Sequence, residues 1–254
     1  MAVAYNPTVL SEGMQLILDA ANVKSYSGSG TSWFDLSGNG NTNTLTNGPT
    51  FSSSNQGSFL FDGTNDYSAC PAISAISGNN ARTITVWFKT SNAINMPLFG
   101  AGSNSGGAAN QIYAATFAGS SPPANPGGIY VAFWSNDLYF PLTSAVVFDG
   151  AWKFIAYSYS AAGNVQFCYN GTFPTTAYRW SGVWTTLTSQ PFQLLSSLNT
   201  TNTAITIGNA SVALWSTGST YFQGNIAHVN IYNRYLSQAE MLQTFNATRG
   251  RFGI

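Results

Sequence analysis

Residues 152–173, WKFIAYSYSAAGNVQFCYNGTF, contain two runs rich in large apolar side chains. The first run, Trp152–Ser160, alternates with a period of two residues, which is the pattern of a β-strand. The second run ends in Asn170-Gly171, the strongest short-range signal for a hairpin turn. The segment therefore predicts two strands, with a hairpin turn at the end of the second.

Further strand signals lie on both sides of this segment. The run TITVWFKT at 83–90 alternates, with Ile84, Val86 and Phe88 on one face. Three more runs read as strands: MQLILDA at 14–20, AITIGN at 204–209 and GNIAHVNIYNR at 224–234. Because clusters of Gly, Asn, Ser and Pro separate these runs, the predicted fold is an all-β antiparallel sandwich.

One helix is predicted near the C-terminus, in YLSQAEMLQTF at 235–245. Ser237 is placed as its N-cap and Glu240 follows three residues later, which is the spacing of a capping box. Leu236 and Met241 are spaced as a hydrophobic staple around the cap. A short helix that caps the sandwich is expected here.

The composition excludes several classes of function. Charged residues make up only 6% of the 254 residues, and eight basic residues balance eight acidic ones. No net field would attract nucleic acid, so no nucleic-acid partner is expected. No run approaches the roughly 18 apolar residues of a membrane span, and no signal peptide is recognisable. For Cys70 and Cys168, two buried thiols are favoured over a bridge between strands.

Catalytic constellations are missing from the sequence. The single histidine, His228, lies in a predicted strand, where a structural or surface role is favoured over a catalytic one. Glycoside hydrolysis needs a pair of carboxylates, and the only glutamates are Glu12 and Glu240 of the capping box. No zinc or dinucleotide motif is present. We therefore expect a protein that is not an enzyme and that needs no cofactor.

Aspartates occur mainly in Gly- and Asn-rich turns. Short carboxylates at such positions usually accept backbone N–H groups and fix the turn. The alternative is a calcium site built from loop oxygens. The turn role is favoured, and no metal site is predicted, for Asp19, Asp35, Asp62, Asp66 and Asp149.

Two segments, at about 100–128 and 174–202, read as loop insertions. The second carries the candidate ligand-binding residues Tyr178, Arg179 and Trp180, with Trp184 close behind. Aromatic faces flanked by hydrogen-bonding side chains suit a sugar. The same residues are also enriched where a protein packs against a neighbouring subunit, and this second role is favoured at this point.

The sequence resembles the laminin-G-like, concanavalin A-like jelly-roll domains, in the form found among bacteriophage and other virion structural proteins. Six segments carry the resemblance, in the family's order: LILDAANVKSYSGSGTSWFDLSGNGN, SFLFDGTNDYSAC, RTITVWFKT, DGAWKFIAYSYSAAGNVQFCYNG, ITIGN and FQGNIAHVNIYNRYLSQAEM. The resemblance implies a single domain over 1–254, in which Trp33 packs and Asp35 orders a turn. The chain departs from the family at Ala227-His228, where acids are usual.

The resemblance also implies a function. We expect a non-enzymatic virion structural protein exposed on the particle surface, as a capsid decoration or a component of a tail or fibre, that aids host attachment. Its expected location is the virion, and its expected partners are other virion proteins and host surface glycans, in a homo-oligomer or multi-copy assembly. The alternative is a carbohydrate-binding, lectin-like module.

Overall fold

The computed structural model describes residues 8–54, 56–93, 96–103, 112–118, 128–133, 135–210 and 221–254, with the backbone alone described for 112–118. The strands are β1 (Met14–Asp19), β2 (Ser32–Trp33), β3 (Asn43–Thr46), β4 (Thr50–Ser52), β5 (Ser58–Asp62), β6 (Tyr67–Cys70), β7 (Arg82–Lys89), β8 (Met96–Gly102), β9 (Ile112–Ala118), β10 (Gly128–Ala132), β11 (Asp137–Phe140), β12 (Trp152–Tyr159), β13 (Asn164–Tyr169), β14 (Ala177–Trp180), β15 (Trp184–Leu187), β16 (Phe192–Gln193), β17 (Ile205–Ile207) and β18 (Gln223–Tyr232). The helices are α1 (Ser144–Val147) and α2 (Gln238–Phe252), and Ser74–Ile76 forms a short 3-10 turn.

These strands form two antiparallel sheets, which confirms the predicted sandwich. Among the described residues, the eight-stranded sheet has the order β16-β13-β12-β7-β18-β5-β4, and β1 also pairs with β18. The ten-stranded sheet has the order β15-β14-β11-β10-β9-β8-β17-β6-β3-β2. The strands β14 and β15 therefore lie at one edge of this second sheet, and β2 lies at the other.

The main core lies between the two sheets. Its residues include the inward row Ile84, Val86 and Phe88 of β7, the face that the sequence pattern predicts. Trp33 is also fully buried, and its ring meets the ring of Phe59 edge-on at 4.9 Å. Burial of such large aromatic side chains is a dominant source of stability in a sandwich of this kind.

A second core lies on the outer face of the eight-stranded sheet, where α2 covers it. Trp87 of β7 stacks on Phe252 of α2 with ring centroids 4.0 Å apart, and Phe154 contacts Phe245 at 5.4 Å. The Nε1–H of Trp87 donates to Thr248 Oγ1 at 2.8 Å. We call this region the covered face. Its presence explains why β12 is buried along its whole length.

The N-terminus of α2 has the predicted capping box. Ser237 Oγ accepts from the backbone N–H of Glu240, and the Glu240 carboxylate accepts from the N–H of Ser237. The helix continues past the predicted segment to Phe252 and ends at Gly253, whose φ of 75° closes it. The extension is stabilised by the sheet, because Phe252 is buried against Trp87 and Trp152.

The two predicted insertions also contain strands. Within 100–128, Ile112–Ala118 pairs with both β8 and β10, whereas 104–111 and 119–127 lie outside the described residues. Within 174–202, β14 and β15 form a hairpin and β16 joins the other sheet. No helix in the described part of the chain is long and apolar enough to cross a bilayer.

Candidate functional site

The hairpin formed by β14 and β15, residues 177–187, holds all four predicted ligand-binding residues, and we call it the tryptophan hairpin. Trp180 and Trp184 are direct cross-strand partners on either side of its turn. Their ring centroids lie 5.1 Å apart with an interplanar angle of 42°. Both side chains are partly exposed. The turn is fixed by a bond from Ser181 N–H to Val183 O and by a φ of 91° at Gly182, a left-handed value that favours glycine.

Alternation along β14 decides which side chains share a face with this pair. Ala177 is buried in the main core, so its side chain and that of Arg179 point inward, and those of Tyr178 and Trp180 point outward. On β15, Thr186 lies opposite Tyr178 and shares the outer face. The structure thus groups three of the four predicted residues on one face.

Arg179 is the one predicted residue whose side chain does not lie on the outer face. Its Cα partner on β11 is the core residue Leu138, and its guanidinium donates from Nη1 to the backbone oxygen of Gln193 on β16 at 2.8 Å. Because β16 belongs to the other sheet, Arg179 joins the two sheets at their edge. Arg179 therefore does not lie on the face that carries Tyr178, Trp180 and Trp184.

The outer face continues from the hairpin onto the neighbouring strands with residues that sequence reasoning missed. Asp137 lies opposite Trp180, and its carboxylate accepts from the hydroxyl of Tyr130 and from the N–H of Phe133, both at 2.7 Å. Burial raises the pKa of Tyr130, and the charge of Asp137 raises it further by a smaller amount. The only sequence signal for this pair was the alternation in IYVA and DLYF, which does not show that the two strands are adjacent.

Tyr139 connects this buried pair to the hairpin. It lies opposite Tyr130 on one side and opposite Tyr178 on the other, with the Tyr139 and Tyr178 ring centroids 6.3 Å apart. Burial raises the pKa of Tyr139, so its ring remains neutral. The hairpin's aromatic surface is therefore continuous with a rigid, buried support.

The loop aspartates have the turn role that the sequence favours. Asp35 accepts from the N–H groups of Ile17, Ser37 and Asn41, at 3.0, 2.8 and 2.9 Å. The carboxylates of the other four each accept a backbone N–H from their own loop: Asp19, Asp62, Asp66 and Asp149. Among the described residues, no group of three or more His, Cys, Asp or Glu side chains could hold a metal ion.

Other candidate reactive groups are buried. His228 is under α2, near Asp19 and Arg251, and burial lowers its pKa. Cys70 and Cys168 are free and buried, as favoured from the sequence, and burial raises the pKa of each thiol to about 12.

Comparison with known proteins identifies the architecture as a concanavalin A-like sandwich. The family described as the concanavalin A-like lectin/glucanases superfamily, in its laminin G-like group, matches residues 62–241. The chain belongs to this superfamily, which confirms the family resemblance. No curated protein matches the chain in sequence.

Solved structures show the same fold at low sequence identity. The binding domain of botulinum neurotoxin DC, solved with SialylT, is 13% identical with a TM-score of 0.60, and the match covers 93% of this chain and 52% of that one. The chain thus spans about half the length of the neurotoxin chains. Domain 4 of AbnA, an extracellular arabinanase from Geobacillus stearothermophilus solved with arabinotriose, is 17% identical with a TM-score of 0.56, and the match covers 92% and 98% of the two chains.

Proposed function

We propose that this protein is a carbohydrate-binding module whose site is the outer face of the tryptophan hairpin. The observation that carries the proposal is the Trp180–Trp184 pair, two partly exposed indoles with centroids 5.1 Å apart on one face of an edge hairpin. An indole presents a broad apolar surface with little conformational entropy to lose on binding. The C–H face of a sugar ring packs against such a surface.

The residues around the pair suit a neutral sugar. The hydroxyls of Tyr178 and Thr186 share the outer face, and neither makes a hydrogen bond to another described residue. Asp137 is engaged by Tyr130 and the backbone, and Arg179 points inward. The surface therefore offers aromatic rings and hydroxyls rather than a charge.

The position of the hairpin favours an oligosaccharide ligand over a single sugar unit. In the described part of the ten-stranded sheet, β15 is the terminal strand, so the pair lies at an open edge. A ligand lying across both indoles can extend past the edge in either direction. The arabinotriose bound by the AbnA domain supports an oligosaccharide ligand at the level of the shared fold.

The competing role for these aromatic residues is contact with another subunit. Arginine, which is enriched at protein interfaces together with tryptophan and tyrosine, is turned away from this face. This placement favours a sugar-binding role for the hairpin face over contact with another subunit. A loss of self-association in the Trp180→Ala variant, without any change in sugar binding, would favour the subunit instead.

A glycan array with matched variants tests the proposal. The wild-type chain should bind neutral oligosaccharides, and Trp180→Ala or Trp184→Ala should weaken binding by roughly tenfold or more, because each removes half of the aromatic surface. The control is Phe34→Ala, since Phe34 is 47% exposed and follows β2 at the opposite edge of the same sheet. A flat wild-type signal would contradict the proposal, as would equal losses in all three variants.

We also propose that the module acts without catalysis. The carboxylate of Glu240 is bound by Ser237 and by Arg234, and the histidine is buried under α2. Asp137, the acid opposite Trp180 on the hairpin face, is buried and its carboxylate accepts from the Tyr130 hydroxyl and the Phe133 N–H, so it is not positioned to protonate a glycosidic oxygen. An oligosaccharide recovered intact after prolonged incubation with the protein is the expected result, and release of shorter products would contradict it.

The proposed setting is the surface of a virion, where the module would occur in many copies or as a homo-oligomer beside other capsid or tail proteins. This setting is supported by the resemblance of the six framework segments to virion domains and by the low charge of the chain. Purified virions should contain the protein, and its copy number should distinguish decoration from a tail. Recovery of the protein only from the soluble host fraction would contradict this setting.

A further inference from the structure

A cleft lies at the edge of the sandwich opposite the tryptophan hairpin. It has a volume of about 400 Å³, and we call it the valine cleft after Val23, whose side chain is 77% exposed. Its walls come from the loop after β1, from β4 and the loop that follows it, and from Arg251 of α2. In the described part of the eight-stranded sheet, β4 is terminal at one end and β16, which the hairpin contacts through Arg179, is terminal at the other. The volume is in the usual range for small-molecule sites.

The two loops of the valine cleft are held together by close contacts. Gly57 has a φ of 58°, and a Cβ there would lie 2.5 Å from the Cα of Ala21, so only glycine permits this close approach. The guanidinium of Arg251 donates from Nε to Gln56 O and from Nη2 to Gly57 O, both at 2.8 Å. The cleft is therefore preorganised, which reduces the entropic cost of binding.

Part of the lining is apolar and aromatic. The ring centroids of Tyr26 and Phe51 lie 4.9 Å apart, and the ring of Phe59 in the main core contacts both, at 4.7 and 5.6 Å. The Tyr26 hydroxyl donates to Gly30 O at 3.1 Å, which fixes the ring. Val23 lines the same cleft and exposes most of its side chain to solvent. Because covering this surface removes it from water, the lining favours a ligand that brings an apolar group against Val23.

The polar part of the lining includes Ser53 and Gln56, which are both exposed. Neither the Ser53 hydroxyl nor the Gln56 carboxamide makes a hydrogen bond to another described residue. A carboxamide holds a donor and an acceptor in one plane, so it can pair with the C=O and N–H of a second amide. A hydroxyl can both donate and accept. These groups suit a ligand that carries an amide and hydroxyls.

The charge of the valine cleft is balanced. Arg251 is the one charged residue among the described lining residues, and its Nη1 lies 2.6 Å from Asp19 Oδ1. Its Nε and Nη2 donate to the backbone oxygens of Gln56 and Gly57. Burial raises the pKa of Tyr26, so its hydroxyl stays neutral. The lining therefore favours a neutral ligand.

We propose that the valine cleft is a second binding site and that it takes a single neutral, N-acetylated sugar unit, such as an N-acetylhexosamine. The acetamido methyl group packs against Val23 and the ring of Phe51. The acetamido N–H and C=O pair with the carboxamide of Gln56, and the hydroxyl of Ser53 binds a hydroxyl of the sugar. A sugar without the acetamido group leaves Val23 uncovered, and a purely apolar ligand leaves the polar lining without partners. This site does not depend on the tryptophan hairpin, because the two lie at opposite edges of the sandwich.

The test is an NMR titration of the full chain with three separate probes: methyl N-acetylglucosaminide, methyl glucoside and N-methylacetamide. The N-acetylated sugar should produce saturable shifts in the backbone amides of Ala21, Val23 and Gly57, in the millimolar range. Methyl glucoside should bind about tenfold more weakly, because it lacks the methyl contact and the amide pair. N-methylacetamide should also bind about tenfold more weakly, because it lacks the sugar ring.

Three results would overturn the proposal. Equal binding of the two sugars would show that the acetamido group is not recognised. Equal binding of N-methylacetamide and the N-acetylated sugar would show that the cleft recognises an amide and not a sugar. The third is the absence of a saturable shift in the cleft, including shifts confined to residues outside it.

Variants assign the roles of the individual residues. Val23→Ser should weaken binding of the N-acetylated sugar by about tenfold, and since Val23 is 77% exposed the fold does not depend on it. The matched control is Leu195→Ser, because Leu195 is 60% exposed and follows β16 at the other end of the same sheet. Gln56→Gly removes the carboxamide and keeps the backbone, whose φ of 59° suits glycine, and should also weaken binding by about tenfold. Unchanged binding in Val23→Ser, or an equal loss in Leu195→Ser, would overturn the assignment.

The double variant Trp180→Ala/Trp184→Ala separates this site from the tryptophan hairpin. It should keep the shifts that the N-acetylated sugar produces in the valine cleft. Loss of these shifts in a folded double variant would overturn the independence of the two sites. A wild-type chain that gives these shifts and a flat glycan array would contradict the proposed hairpin site alone.

Discussion

Two groups of tryptophans in this protein occupy the outer faces of opposite sheets. On the covered face, Trp87 is 1% exposed and stacks on Phe252 with centroids 4.0 Å apart. On the tryptophan hairpin, Trp180 and Trp184 face each other at 5.1 Å and remain partly exposed. The residue type is the same in both places. The first group belongs to a hydrophobic core because α2 packs on it. The second group stays partly exposed to solvent.

The comparison shows that the packing on an outward-facing aromatic side chain decides whether it stabilises the fold or is available to a ligand. Trp87 stacks on two rings of α2, Phe245 and Phe252, and its Nε1–H donates to Thr248. Trp180 has only its partner across the hairpin as a ring contact among the described residues. An indole with one face occupied can still offer area to a ligand. The stability of the fold and the binding of a ligand should therefore depend on different tryptophans.

The largest expected effect comes from replacing Trp87. Trp87→Ala should lower the free energy of unfolding by about 3–5 kcal/mol, because it opens a cavity under α2 and leaves Phe252 without its stack. Trp184→Ala, the matched change on the hairpin, should cost about 1 kcal/mol or less. Chemical denaturation of both variants gives the two values. Equal losses would break the comparison, since the hairpin would then be part of the core.

The sequence predicts the parts of the structure that depend on local patterns. The capping box at Ser237, the inward row of β7 and the turn at Asp35 need only spacing and residue type. The inward position of Arg179 could not be predicted, because a shift of one residue in strand register exchanges the faces. The last turns of α2 were missed because NATRGRF has no apolar period, and the sheet supplies the contacts for Phe252.

A smaller effect concerns pH and the covered face. Burial lowers the pKa of His228 below the unfolded value near 6.5; the Asp19 carboxylate opposes this shift and Arg251 adds to it. Below that value the unfolded chain binds a proton that the folded chain resists, so stability is present above about pH 6.5 and falls as the pH decreases. The slope for one group is at most about 1.4 kcal/mol per pH unit.

Denaturation at pH 7.5 and 5.5 measures this effect. His228→Asn should flatten the dependence, and binding at the tryptophan hairpin, whose residues 177–187 include no histidine, aspartate or glutamate, should stay constant. A wild-type stability that is the same at both pH values would show that His228 is accommodated in its charged form. Binding that changes together with stability would show that the two faces are coupled.

Metal removal should have no effect. The loops next to β1 are held by carboxylates that accept backbone N–H groups, with Asp35 accepting three. An ion whose free concentration is about a hundred times its Kd would add about 2.7 kcal/mol to the free energy of unfolding. We therefore expect EDTA to leave the melting temperature unchanged within error. A drop of several degrees that added calcium restores would show that an ion supports these loops.

The indole N–H resonances test the central claim most directly, because each tryptophan gives its own signal in the intact wild-type protein. On titration with an oligosaccharide that binds on the array, the signals of Trp180 and Trp184 should shift and saturate together. The signals of Trp87 and of Trp33, which is buried in the main core, should stay in place. Saturable shifts at Trp87, or none at the hairpin pair while the sugar binds, would contradict the assignment of the site to the tryptophan hairpin.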